Sequence, residues 1–256
     1  MSSSERSTVS IEDVGTPRVA IVTGGSGGIG QAVAERLAAE GMKVVVHYSS
    51  KRHLADEVVE RITAAGGEAL AVEGDVAEEA DMASLFQHAE REFGGVDVVV
   101  HTAGVLYLAP LAEMDLDELD RTIRINVRGT FVVNQQAVRR VRRGGAIINF
   151  STSVNRRAVP TYSAYSASKG AVDAITMILA KELKGRDVTV NTVAPGPVAT
   201  SMFLGSRDQA AIDALAAAPA LGRLGEPADI ADIVAFLAGP ARWINGQVLY
   251  ADGGLI

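Results

Sequence analysis

The sequence predicts an α/β protein: a doubly wound parallel sheet with helices on both faces, in a single domain. Three observations carry this expectation. From Arg18 onward, strand-like apolar runs alternate with amphipathic helical stretches, the pattern of repeated βαβ units. One of those runs, Val96 to His101, is almost wholly apolar, as a strand covered on both faces must be. No internal repeat, linker or break in composition divides the 256 residues, a length that one hydrophobic core can serve.

The elements follow in order. Val19 to Val22 reads as the first strand and Gly30 to Glu40 as the helix after it. Val44 to His47 is the second strand, followed by a helix near Ala55 to Ala65. Ala69 to Glu73 is a short third strand with its helix over Met82 to Phe93. After the Val96 strand, one long helix is expected from Leu116 to Arg140, then a fifth strand over Ala146 to Phe150. A helix carrying Tyr165 runs to about Leu183, and Thr189 to Val193 is the sixth strand. The stretch 198–222 is apolar-rich but broken, which suits a lid. Pro227 to Ala238 is the last helix and Gln247 to Tyr250 the last strand.

Composition narrows the function. A net charge of −7 argues against a nucleic-acid partner, because phosphates call for basic surface. The chain has no cysteine, which excludes disulfides, thiolate catalysis and Cys-ligated metals; no metal site is expected. Residues 1–16 are Ser-rich, mixed in charge and without an apolar h-region, so they read as a flexible tail before a domain over 17–256. No apolar run approaches a membrane span, and the expectation is a soluble, cytoplasmic protein.

Two motifs carry chemistry. Gly24-Gly25-Ser26-Gly27-Gly28-Ile29-Gly30 follows the first strand and opens the first helix. Glycines there let backbone N–H groups close on a pyrophosphate, and the helix N-terminus adds partial positive charge. A carboxylate about twenty residues on would accept the ribose 2′-hydroxyl of NAD. Here stand Tyr48, Ser49, Ser50, Lys51 and Arg52, hydroxyls and cations suited to a 2′-phosphate, so NADP(H) is expected over NAD(H). The second motif is Tyr165 with Lys169. Four residues apart on a helix, they share a face, and an ammonium close to a phenol lowers its pKa toward the range of general acid–base work.

Thr23-Gly24 with Gly28 and Gly30, the Ala103-Gly104 turn, Asn126, Tyr165/Lys169 and Pro195-Gly196 fall in the order and spacing of the short-chain dehydrogenase/reductase family, which the chain resembles over all but its tail. It is most similar to 3-oxoacyl-carrier-protein reductases and tetrahydroxynaphthalene-reductase-like members. The resemblance implies a seven-stranded Rossmann sheet, NAD(P)-dependent interconversion of alcohol and carbonyl, and a homotetramer built partly on the fourth and fifth helices. It makes Tyr165 the proton donor, Lys169 the group that depresses its pKa and holds the nicotinamide ribose, and Asn126 the support of a water relay behind Lys169. It places Asp75 and Val76 at the adenine, Thr102, Ala103 and Gly104 along the cofactor, and Val198 and Thr200 at the nicotinamide half.

Three departures from the family pattern stand out. His101-Thr102 replaces the usual Asn-Asn, with Thr102 expected to offer its hydroxyl to nearby backbone and His101 to be structural. Gly27 stands where many NADP-using members carry Arg. The family's Ser, thirteen positions before the Tyr, is Thr152 here, with Ser153 as the alternative hydroxyl.

The substrate is expected to be a bulky apolar, 3-oxoacyl or polyketide-like aromatic ketone, since Leu106, Tyr107, Leu108, Met202, Phe203 and Leu204 lie in the two segments that would wall its pocket. A carrier-protein-bound substrate stays open through Arg142, Arg143 and Arg186 at helix ends, as does an anionic substrate group at Arg156 and Arg157. The competing functions are a non-catalytic NADP-binding regulator and an epimerase or dehydratase on the same fold.

Overall fold

A computed structural model describes residues 17–205 and 208–256; the expected tail lies outside them. Seven strands form one parallel sheet in the order β3-β2-β1-β4-β5-β6-β7. They are β1 Val19–Thr23, β2 Lys43–Tyr48, β3 Ala69–Glu73, β4 Val96–His101, β5 Val141–Phe150, β6 Thr189–Pro195 and β7 Val248–Ala251. The helices are α1 Gly28–Ala39, α2 Arg52–Ala64, α3 Glu79–Phe93, α4 Leu116–Ile123, α5 Gly129–Arg140, α6 Val154–Arg157, α7 Ser163–Glu182, α8 Ser201–Leu204, α9 Gln209–Ala217 and α10 Pro227–Ala238. The order reverses between β1 and β4, and at such a switch point the loops beyond the strands' C-terminal ends part to leave a crevice.

Alternation along each strand divides the core in two. Ala20, Val22, Val44, Val46 and Val100 pack with Leu37 of α1 and Val234 of α10; Ile21, Val45, Val99 and Ile147 pack with Phe86 of α3, Val133 of α5 and Leu179 of α7. Both faces are therefore covered, which is why the strands read as continuous apolar runs. Among the described residues no helix is long and apolar enough to cross a membrane.

The structure corrects two expected elements and adds short helices to two stretches that were given none. The helix expected over Leu116 to Arg140 is two helices joined by a π turn, Arg124–Arg128. β5 begins at Val141, because Val141 pairs with Val96 across a register shift and the strand passes through Gly144-Gly145. The segment before Tyr165 holds the short α6. The broken stretch 198–222 contains α8 and α9, each capped by the side chain that precedes it: Thr200 accepts from the Phe203 amide and Asp208 from the Ala211 amide.

At the C-terminal end of the sheet, on the α3/α5/α7 face, the apolar layers give way to a polar row. His101 pairs with Thr23 and Asn149, Asn149 pairs with Thr192, and His47 follows the Val22–Val46 pair. All five are at most 3% exposed, and each has a hydrogen bond. Thr23 Oγ1 and His101 Nδ1 are 2.7 Å apart. Asn149 accepts from Asn134 and donates to Thr176, to which Thr192 also donates. His47 Nε2 donates to the Gly74 carbonyl, leaving Nδ1 to accept from the Gly24 amide.

Burial pushes His47 down to about 4 and His101 down to about 3. Their ordinary value near 6.5 is restored on unfolding. Above pH 6.5 both states are neutral and nothing is lost. Below it the unfolded chain takes up protons that the fold refuses, so stability falls, by about 2 kcal/mol for each histidine at about pH 5. Urea unfolding at about pH 7.5 and about pH 5 is expected to show that loss, and the double variant H47Q/H101N to lose less over the same interval.

Candidate active site

The glycine turn is held from three sides. Gly24 adopts φ +69°, and a Cβ there would lie 2.9 Å from the backbone of Ala103. A Cβ on Gly28 would lie 2.9 Å from the Thr200 methyl, and one on Gly30 would strike the Gly24 carbonyl oxygen and stand 2.7 Å from Thr102 Oγ1. As expected, the Thr102 hydroxyl serves nearby backbone: it donates to the Thr23 carbonyl at 2.6 Å. The first turn of α1 has no side-chain cap and no acidic residue. Its leading amides therefore face the crevice uncapped, beside a turn too close for side chains, which fits a bound pyrophosphate.

Other residues of the expected cofactor set are partly committed elsewhere. Tyr48 is 4% exposed, its ring inside the core, so Ser49, Ser50, Lys51 and Arg52 are what the end of β2 presents outward. Val76 turns its side chain onto Gly129 in the core. Asp75 accepts from the Ala77 amide and from Arg124 at 2.8 Å. Burial pushes its carboxyl up, yet those two bonds prevail and hold it below the ordinary carboxylate range. Val198 is buried and bridged to Gly225, and Thr200 caps α8. Gly196 donates to the Ala251 carbonyl and has no room for a Cβ beside Asp252.

Tyr165 and Lys169 lie on one face of α7, on the side toward the crevice. Lys169 is 5% exposed and donates to the Phe150 carbonyl at 2.8 Å. A Cβ on Gly104 would stand 3.2 Å from Asn126 Oδ1 and 3.4 Å from Lys169 Nζ, so Gly104, Asn126 and Lys169 meet at one point. The π turn carries Asn126 there, a common use of such turns. Its carboxamide exchanges two hydrogen bonds with Val105 and donates to Ser168. Tyr165 is half-buried, and its hydroxyl has no hydrogen bond to a described residue.

The expected depression of the Tyr165 pKa is reversed. Burial, with the Tyr162 phenol nearby, pushes it up to about 12, and burial brings Lys169 down to about 8 against the pull of Asp173. The ammonium stands 5.8 Å from the Tyr165 ring centre and is engaged by the Phe150 carbonyl, so desolvation outweighs it.

β5 ends at Phe150, so the three hydroxyls after it escape strict alternation. Ser151 donates to the Lys169 carbonyl, and Thr152 Oγ1 accepts from the Val154 amide at 3.3 Å. Ser153 donates its amide to the Pro195 carbonyl and has no side-chain hydrogen bond among the described residues. Leu106, Tyr107, Leu108, Phe203 and Leu204 are half-buried, and the Tyr107 hydroxyl accepts from the Asp115 amide; the Met202 side chain lies outside the description.

The cations proposed for an acidic carrier are used inside the chain. Arg142 lies within β5, not at a helix end, and grips the buried Asp97 with two hydrogen bonds. Arg143 donates to the Gly185 carbonyl, and Arg186 to those of Val138 and Val141. Arg156 sits 4.6 Å over the Tyr250 ring.

Residues 24–256 match the family model described as enoyl-(acyl carrier protein) reductase. A short-chain type dehydrogenase/reductase of Picea abies is 44% identical over 250 residues, covering 93% of this chain and 92% of that protein. The NADPH-dependent aldehyde reductase 2, chloroplastic, of Arabidopsis thaliana is 42% identical over 255 residues, covering 93% and 94%. Among solved structures, the angucycline C-6 ketoreductase LanV with bound NADP superposes with a TM-score of 0.88 at 36% identity, covering 93% of this chain and 95% of that one.

Proposed function

Because the chain belongs to the short-chain dehydrogenase/reductase family, we propose that it is an NADPH-dependent reductase of bulky apolar ketones, with Tyr165 as proton donor. The observation that carries this reading is the Tyr165 phenol, its hydroxyl without a hydrogen bond to a described residue and its ring centre 5.8 Å from the buried Lys169 ammonium, together with a glycine turn open to a dinucleotide. When bound, NADPH supplies the hydride. The α1 amides would hold its pyrophosphate, Ser49, Ser50 and Lys51 its 2′-phosphate, the loops after β3 and β4 its adenine and ribose, and residues 195–200 its nicotinamide half. The Tyr165 hydroxyl would give its proton to the oxygen of a carbonyl being reduced and would be reprotonated from solvent. Thr152 or Ser153 donates to the same oxygen and fixes its direction. Lys169 would stabilise the charge the phenol acquires and would bind the nicotinamide ribose.

A phenol held well above neutral pH suits this direction. It stays protonated until the alkoxide forms, and it disfavours alcohol oxidation, which needs phenolate at the start. The half-buried apolar side chains of residues 106–108 and 203–204 support a large apolar substrate under a lid formed by 198–222, within one domain over 17–256. The exposed apolar side chains of Leu116, Ile123 and Phe131 on α4 and α5 support association of copies through those helices.

The test follows NADPH absorbance at about 340 nm with a panel of aromatic ketones, 3-oxoacyl thioesters and aldehydes. Net consumption with ketones supports the proposal; product without net consumption would mean an epimerase, and binding alone a regulator. The variant K51A/R52A is expected to weaken NADPH binding about tenfold and leave NADH binding unchanged, since only the 2′-phosphate distinguishes the two. Equal weakening of both would remove the assignment.

A further inference from the structure

We infer that Asn155 and Asp173 are positioning residues of the proposed reaction, fixing the Thr152 and Ser153 hydroxyls against the Tyr165 helix and keeping a negative charge one turn behind the Lys169 ammonium. The inference rests on the proposed function and deepens it. Asn155, in α6, uses its carboxamide on three neighbours. Nδ2 donates to Ser151 Oγ at 3.2 Å and to Asp173 Oδ2 at 3.0 Å, while Oδ1 accepts from Ser166 Oγ at 2.8 Å. Ser151 in turn donates to the Lys169 carbonyl at 3.2 Å.

One amide thus ties the hydroxyl-bearing segment to α7 at the residue after Tyr165 and at the residue one turn beyond Lys169. A shift of this segment would move Thr152 and Ser153 away from the substrate oxygen, and misplacements of that size lower the rate steeply.

The second half concerns charge. Asp173 Oδ1 is buried without a hydrogen bond among the described residues. Keeping a carboxylate half-satisfied in this way costs stability. The charges facing it are Lys169 on its own helix and Arg156 from α6. Lys169 faces Asp173 and Tyr165 on α7 and the neutral His101 from β4. Burial pushes the Asp173 carboxyl up, against the hydrogen bond from Asn155 and the charges of Lys169 and Arg156; its charge in turn opposes, without cancelling, the burial of the Lys169 ammonium.

The variants are N155A, D173N and the exchange N155D/D173N, which restores one amide and one carboxylate in swapped places. NADPH binding, read from the fluorescence of the bound reduced nicotinamide, and kcat and KM are measured across pH, with thermal unfolding alongside. D173N is expected to move the alkaline limit of NADPH binding down by about 0.5–1 pH unit, because Lys169 loses its counter-charge. N155A is expected to lower kcat about tenfold with KM for NADPH within about twofold. The exchange is expected to recover much of both losses.

An unmoved pH limit in D173N, or an exchange no better than the single variants, overturns the inference. Should D173N not fold, N155A and the exchange still decide it. If the wild type reduces no carbonyl, the proposed function fails, whereas the fluorescence titration still reads Asp173 acting on Lys169.

Discussion

Replacing Tyr165 with Phe is expected to lower kcat by about 10²–10⁴-fold, the range for loss of a general acid, while NADPH binding changes by less than about threefold. The substitution removes one oxygen that bonds to no described residue, so no buried partner is orphaned and the helix loses nothing. The transition state loses its proton source while the ground state keeps its contacts, which marks the effect as one on kcat. Rates across pH add a second signature. Lys169, brought to about 8 by burial, is charged at neutral pH and loses its proton as pH rises past that value. Ketone reduction should therefore be level up to about pH 8 and fall above it. Alcohol oxidation should still be rising there, because it needs the phenolate of a group held near about 12. A Tyr165→Phe enzyme with near-native turnover would falsify the role given to Tyr165.

Gly30→Ala is expected to weaken NADPH binding by about 10–100-fold, with a far smaller loss of kcat measured at saturating cofactor. The added methyl meets the Gly24 carbonyl on one side and the Thr102 hydroxyl on the other. Neither is the free end of a flexible chain: Gly24 is locked by its positive φ, and Thr102 is bonded to Thr23. The turn must move by enough to cost about 1–3 kcal/mol, and displacement of the amides proposed to receive the pyrophosphate should lower affinity by a like amount. Fluorescence titration reads the change directly. Gly41→Ala is the control: a Cβ there meets nothing within 4 Å, so its positive φ should cost stability and leave affinity alone.

How much of this was legible in the sequence depends on whether a feature repeats. A strand buried along its whole length betrays itself as a nearly unbroken apolar run, and Val96–His101 begins and ends where that pattern says, as do the half-buried strand Ala69–Glu73 and the amphipathic helix Pro227–Ala238. The π turn at Arg124–Arg128 adds one residue to a helical phase, and no residue type marks that addition. The start of β5 was hidden by Gly144-Gly145, which punctuate most chains but here lie inside a strand tied to β4 by Arg142 and Asp97.

The candidate site divides the same way. Tyr165, Lys169 and the glycine turn are close in sequence and chemically distinctive. His47 was read only as the end of a strand, yet it orders the first amide of the turn. Asn155 and Asp173 are far apart along the chain and become partners only when α6 folds onto α7. The direction of the Tyr165 shift was misjudged because spacing reports a neighbouring charge but not the water that folding strips away.

The extra residue of the π turn has a further consequence for how this chain tolerates change. Each helical residue turns the chain by about 100°, so deleting one position between Arg124 and Arg128 would leave a smooth helix yet swing α4 by about that angle relative to α5. Arg124 would leave Asp75 and Glu78, and the oily edge of α4 would face a new direction. A single-codon loss in this stretch should thus act like a register slip in a machine part, detaching the Asp75 loop from Asn126, whereas same-length exchanges on the exposed side of the turn should pass with little effect.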